Sequence, residues 1–173
     1  GKKFAPNGRW FTLIDAAAFL PTNRLDLSKY PADFVVFSFY KIFGYPNLGC
    51  LLVRNDVIPL LEKRDFSGGT VVMASSGTDF ALLQPRACER FEDGTIPFLS
   101  IVALKEGFRV LNELGIEAIS KHSWVVTREL YLRLNQLRHS TGRPAMKIYG
   151  LHSSNNPDKQ GAIVTINILN STG

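Results

Sequence analysis

The stretch Asp33-Phe34-Val35-Val36-Phe37-Ser38-Phe39-Tyr40-Lys41 decides the fold. From Phe34 to Phe39 it holds one polar residue, Ser38, and is otherwise aromatic or β-branched, the composition of a short strand covered on both faces. Such strands belong to α/β sheets. After Ile42-Phe43 the segment Gly44-Tyr45-Pro46-Asn47-Leu48-Gly49 is a turn by its Gly and Pro content, so Cys50-Leu51-Leu52-Val53 is expected to return antiparallel to the first strand. Upstream, Trp10-Phe11-Thr12-Leu13-Ile14 is a second β-prone run, ending in Asp15 and the small residues Ala16-Ala17-Ala18. Asp15 therefore stands where a strand meets a loop, and open α/β sheets bind their ligands beyond the carboxyl ends of strands.

Further out, Pro21, Asn23 and Asp26-Leu27-Ser28 suggest a loop or short helix, and Asn55-Asp56 offers an N-cap for a short helix over Val57-Ile58-Pro59-Leu60-Leu61. Residues 66–91 carry no clear element and read as a long functional loop. Ile101, Leu104, Phe108 and Leu111 recur at helical spacing up to Gly115, and a second helix runs from Ile116 to about Arg138, broken by Ser140-Thr141-Gly142-Arg143-Pro144. Met146-Lys147-Ile148-Tyr149 and Ile163-Val164-Thr165-Ile166-Asn167-Ile168-Leu169 read as late strands.

The 173 residues are 45% hydrophobic and 20% charged, which excludes intrinsic disorder and low-complexity classes. The net charge of +5 is scattered, the longest basic runs being pairs such as Lys2-Lys3 and Lys63-Arg64, so no nucleic-acid surface is expected. Two cysteines, Cys50 and Cys88, without CxxC spacing, fit a reducing, cytoplasmic setting and provide no metal cage. His122, His139 and His152 have no metal-ligand spacing. The first residues lack a signal-peptide apolar region and no run is long enough to span a membrane. Gly44 to Gly49 has the outer spacing of a P-loop but is followed by Cys50-Leu51, so nucleotide binding is rejected. Trp10 and Trp124 read as core or interface aromatics.

Lys41 follows an apolar strand with no carboxylate near it in sequence. It is either a solvent-seeking strand end or a desolvated amine suited to Schiff-base chemistry. A pyridoxal phosphate enzyme needs such a lysine for the aldehyde, an acid to keep the pyridine nitrogen protonated, and hydroxyl groups for the phosphate. Asp15, 26 residues before Lys41, and Ser38, three before it, supply that set at the ends of two expected strands.

The runs Leu13-Ile14-Asp15-Ala16-Ala17, Ser38-Phe39-Tyr40-Lys41-Ile42-Phe43-Gly44-Tyr45-Pro46, Gly68-Gly69-Thr70-Val71 and Arg90-Phe91-Glu92-Asp93-Gly94-Thr95 resemble the amino-terminal domain of the molybdenum cofactor sulfurase family, which is similar to cysteine desulfurases and class V aminotransferases. The resemblance is dense over residues 9–115 and looser beyond. It implies the central part of the pyridoxal-phosphate-dependent transferase fold (fold type I, aspartate aminotransferase-like), a mixed, mostly parallel sheet flanked by helices. Residues 1–115 would be part of the large cofactor-binding domain with Lys41, and residues 116–173 would lead into the small domain.

The implied function is sulfur transfer from L-cysteine to the molybdenum cofactor. Lys41 would be the aldimine lysine and Asp15 the partner of the pyridinium nitrogen. Ser38 and Tyr40 would contact the phosphate, and Thr70 would reach the phosphate of a neighbouring protomer's cofactor, which implies a homodimer. Gly94 and Thr95 would shape the site wall. Two alternatives remain open: a truncated, non-catalytic member of the same family, and a general cysteine desulfurase or class V aminotransferase-like protein.

Three departures from the resemblance stand out. Ala18 replaces a desulfurase glutamine, Asn47-Leu48-Gly49 is one residue tighter than the animal form and closer to fungal members, and Ser67 takes the place of a glycine. The segment with a ring-stacking residue is expected before Gly1, and the Arg-x-Gly-Cys segment with the persulfide cysteine beyond Gly173; neither Cys50 nor Cys88 matches that cysteine.

Overall fold

In the computed structural model residues 8–171 are described, so the amino-terminal reading on residues 1–7 lies outside the described residues. The chain divides into two compact units, one holding the residues up to Ala18 together with Asp26–Phe108, the other Phe19–Leu25 together with the residues from Arg109 onward.

The first unit is built on a three-stranded sheet of β1 (Leu13–Asp15), β2 (Phe34–Ser38) and β3 (Gly49–Val53), in that spatial order. β1 and β2 run parallel, with Asp15 opposite Val36; β3 returns antiparallel, with Ser38 opposite Gly49 and Phe34 opposite Val53. The antiparallel return follows the Gly44–Gly49 turn, as its composition predicts. Val35, the second residue of β2, is buried, whereas the other four are half-buried, so β2 is less enclosed than its apolar run implies. Trp10, read as a core or interface aromatic, is 73% exposed and so not in the core.

The starts of β1 and β2 are tied by a charged network. The Thr12 carbonyl accepts the N–H groups of Asp33 and Phe34, both at 3.0 Å, and the Asp33 carboxylate accepts the Thr12 N–H at 2.7 Å. Asp33 is 7% exposed and also faces the Arg54 guanidinium at 3.0 Å and that of Arg9 at 3.7 Å. Asp56 is held in turn by Arg54 and Arg9. Its carboxylate is therefore committed, and the expected side-chain N-cap does not form: a 3-10 turn, Ile58–Leu60, starts after Val57 without a side-chain cap.

Residues 66–91 are not a structureless loop. They hold the 3-10 turn Gly68–Thr70, a hairpin of β4 (Val71–Ala74) and β5 (Ala81–Leu83) with an irregular register at Val71/Met73, and α2 (Ala87–Phe91), which packs on the 3-10 turn. Strands this short, separated by Ser75-Ser76-Gly77-Thr78, are hidden by their turn residues.

α3 (Phe98–Leu114) follows, its residues to Phe108 counted in the first unit. α4 (Ile116–Gln136) belongs to the second unit with the antiparallel pair β6 (Met146–Tyr149) and β7 (Thr165–Ile168). β7 starts at Thr165, two residues later than expected. His152 opens a 3-10 turn, is 7% exposed, stacks on Tyr131 at 5.5 Å and accepts a hydrogen bond on its carbonyl from Arg128 at 2.7 Å; its buried ring Nε2 has no hydrogen-bond partner among the described residues. Among the described residues no helix is long and apolar enough to cross a membrane.

Candidate active site

Of the residues singled out in the sequence, Asp15, Ser38, Tyr40 and Lys41 fall at one end of the first sheet. Asp15 is the last residue of β1 and Ser38 the last of β2, and these strands are parallel neighbours, so both side chains leave from carboxyl ends. The chain turns at Asp15 because its Oδ1 accepts the Ala17 N–H at 3.0 Å, while the Ala16 N–H donates to the Val36 carbonyl at 2.9 Å and Ala16 is fully buried. That turn fixes the carboxylate at the strand end and commits one of its two oxygens.

Lys41 follows Ser38 in α1 (Tyr40–Phe43), a single helical turn. The Phe39 N–H donates to the Leu48 carbonyl at 2.8 Å, and Gly44 closes the turn in the left-handed region (φ 80°) by donating its N–H to the Tyr40 carbonyl at 2.8 Å. Glycine is suited to that position because a side chain is strained at positive φ. Tyr40 and Lys41 are exposed, and Ile42 and Phe43 are turned inward. None of the ion pairs between described residues involves Lys41, so its amine is not committed to a carboxylate.

Thr70 behaves differently. It is 1% exposed, its hydroxyl donates to the Ser67 carbonyl at 2.9 Å and accepts the Ser67 N–H at 3.1 Å, so the hydroxyl is satisfied within its own turn. Gln84 braces the same turn by donating to the Gly69 and Val71 carbonyls at 3.2 and 3.3 Å. The Glu92–Thr95 segment is anchored by an ion pair between Asp93 and Lys63, whose side chain is 9% exposed. Lys63 carried no signal beyond its charge, because the pairing spans 30 residues.

Both cysteines line an apolar groove of about 700 Å³ with Leu52, Ile58, Leu61 and Phe91, and neither Asp15 nor Lys41 lines it. Burial, and then the nearby Glu92 carboxylate, push the Cys50 thiol above its ordinary pKa. Cys50 is thus held as a thiol, poor as a nucleophile. Among the described residues no group of His, Cys, Asp and Glu could hold a metal ion.

A carboxylate, a hydroxyl and an uncommitted amine at the carboxyl ends of adjacent parallel strands form a donor set that fits pyridoxal phosphate. The fold is that of fold type I enzymes: the apo structure of a cysteine desulfurase from Thermococcus onnurineus NA1 superposes with a TM-score of 0.67 over 90% of this chain and 36% of that one, at 24% identity. The chain belongs to the aminotransferase class-V family, whose profile matches residues 2–170. It is 46% identical over 169 residues to the molybdenum cofactor sulfurase of Bos taurus, covering 96% of this chain and 19% of that one. It is 45% identical over 175 residues to that of Arabidopsis thaliana, covering 100% of this chain and 21% of the relative. The resemblance drawn from the motifs is borne out. The chain spans about a fifth of the length of the curated relatives it matches.

Proposed function

We propose that this chain is the lysine-bearing part of a pyridoxal-phosphate-dependent sulfurtransferase that takes sulfur from L-cysteine and delivers it to the molybdenum cofactor. The observation that carries the reading is that Asp15 ends β1 and Lys41 follows the end of its parallel neighbour β2. Pyridoxal phosphate, when bound, supplies an electron sink that labilises bonds at the carbon bearing the substrate amine. In this reading Lys41 would hold the cofactor's aldehyde carbon until the amine of L-cysteine displaces it there, and the Nζ so freed would carry a proton to and from the substrate. The Asp15 oxygen left after the Ala17 contact accepts a hydrogen bond from the pyridine N–H and keeps that proton in place. The Ser38 and Tyr40 hydroxyl groups donate to the phosphate. Thr70, satisfied by Ser67, shapes the turn offered to a second protomer of a homodimer; it reaches a phosphate itself only if its hydroxyl leaves Ser67.

Residues 1–115 are assigned to the large cofactor domain and residues 116–173 to the segment leading into the small one. The protein is placed in the cytoplasm, with neither nucleic acid nor a membrane as partner. The test uses the full-length protein and its Lys41→Ala variant. The unaltered protein is expected to take up pyridoxal phosphate, keep it on Lys41 after borohydride reduction, and release alanine from L-cysteine. Equal uptake and equal alanine release by the variant would overturn the role of Lys41. Alanine release without delivery of sulfur to the molybdenum cofactor would leave a general cysteine desulfurase.

A further inference from the structure

The turn that carries Lys41 is too short to hold its own orientation. α1 has four residues, and a single helical turn fixes many dihedral angles for few hydrogen bonds. What surrounds it is aromatic: Phe43 stacks on Phe39 with ring centroids 6.0 Å apart and meets the Phe108 ring edge-on at 5.5 Å, while Phe108 meets Phe39 at 6.0 Å. Against the Phe43 ring lies Gly107 of α3. A Cβ there would stand 2.5 Å from two atoms of the ring and 2.8 Å from its Cγ. Because the Cγ is among the atoms struck, the ring cannot clear a methyl group by swinging its tip, and Phe39 and Phe108 already pack against it.

We infer that Gly107 is a positioning residue for Lys41: it is the notch into which Phe43 seats, and that seat fixes the turn two residues after the lysine. The inference rests on the role given to Lys41 above. The sign of one substitution decides it. Inside a helix alanine is more favourable than glycine, so at an ordinary helical site Gly→Ala tightens the structure, whereas at a notch it must dislodge Phe43 and loosen α1.

The experiment uses the full-length protein with Gly107→Ala, Phe43→Leu and the pair together. Two readouts are taken: amide exchange of Ile42, Phe43 and Gly44 without cofactor, and the rate at which pyridoxal phosphate and borohydride leave a pyridoxyl group on Lys41, followed by peptide mass across a pH series. Amides of β6 and labelling at Lys147 serve as references. Gly107→Ala is expected to speed exchange in α1 about tenfold and to slow labelling of Lys41 to a similar degree, with β6 and Lys147 unmoved. Phe43→Leu, which shrinks the ring, is expected to return both readouts to within about threefold of the unaltered protein when added to Gly107→Ala. Should Gly107→Ala fail to fold, Phe43→Leu alone is expected to loosen the empty notch and to move both readouts in the same direction, by less.

Labelling of Lys41 at the unaltered rate in Gly107→Ala, a double variant no better than Gly107→Ala, or an equal change in β6 would each overturn the inference. So would Phe43→Leu alone leaving both readouts unmoved. Absence of a pyridoxyl group on Lys41 in the unaltered protein is a separate result: it removes the proposed role of Lys41 and this inference with it, and it is seen before any Gly107 variant is compared.

Discussion

Replacing Asp33 by alanine should loosen the sheet that carries the candidate site, and the size of the effect follows from its contacts. The carboxylate accepts the Thr12 N–H at 2.7 Å in a largely buried position, a hydrogen bond to a charged group, for which about 1.5–3 kcal/mol is typical. Its ion pair with Arg54 adds less, about 0.2–1 kcal/mol, because the arginine side chain is 42% exposed and water screens it. Asp33→Ala should therefore cost roughly 2–3 kcal/mol, and Asp33→Asn about 1 kcal/mol, since asparagine keeps an acceptor for Thr12 and loses only the charge. Native-state hydrogen exchange of the β2 amides reads this directly: 2–3 kcal/mol corresponds to exchange roughly 30- to 160-fold faster, with the β6 and β7 amides as an unaffected reference. If Asp33→Ala exchanges like the unaltered protein, or if Asp33→Asn costs as much as Asp33→Ala, the hydrogen bond to Thr12 is not what holds the strand starts together.

Thr70→Ala should destabilise the Gly68–Thr70 turn by about 1–2 kcal/mol because it empties both hydrogen bonds to Ser67, and Thr70→Ser should recover most of it; unfolding by urea, monitored for each variant, checks the order. Cys50 should alkylate more slowly than the exposed Cys88 at neutral pH, with the gap closing only as pH rises through the elevated Cys50 value; mass spectrometry of iodoacetamide-treated protein measures it. The sign for stability is that the contribution of this thiol is fully present below its ordinary pKa and is lost as pH rises through the raised one, so unfolding midpoints should fall on the alkaline side. His152→Phe should be neutral or stabilising by up to about 1 kcal/mol, because phenylalanine keeps the stack on Tyr131 and removes the unpartnered ring nitrogen; a fall in melting temperature would show that this nitrogen has a partner in solution.

The sheet of the first unit was readable because its signals are local. The Phe34–Ser38 run, the Gly and Pro residues of the following turn and the apolar return at Cys50–Val53 each announce themselves within a few residues, and the two helices do so by periodicity. The strand-end positions of Asp15, Ser38 and Lys41 were readable for the same reason, since each closes or follows a recognisable strand. What escaped depends on partners far along the chain. Asp56 looked like a helix cap, yet Arg9 and Arg54 take its carboxylate; Thr70 looked available, yet Ser67 takes its hydroxyl. Gly107 gave no sign at all, because nothing in a helical pattern shows that an aromatic ring from residue 43 lies against it. Residues 71–83 were lost to the shortness of strands of four and three residues.

The network of ion pairs and hydrogen bonds at Thr12, Asp33 and Arg54 sits at one end of β2, and Lys41 lies past the other, with the five residues of β2 between them, about 17 Å of strand. Anchorage and the proposed chemistry are thereby segregated along one axis. A protein divided in this way can be hardened against heat by strengthening charges at the strand starts while the candidate site keeps its shape. Conversely, drift that weakens the strand starts, as loss of Asp33 would, loosens the strand that leads to the lysine.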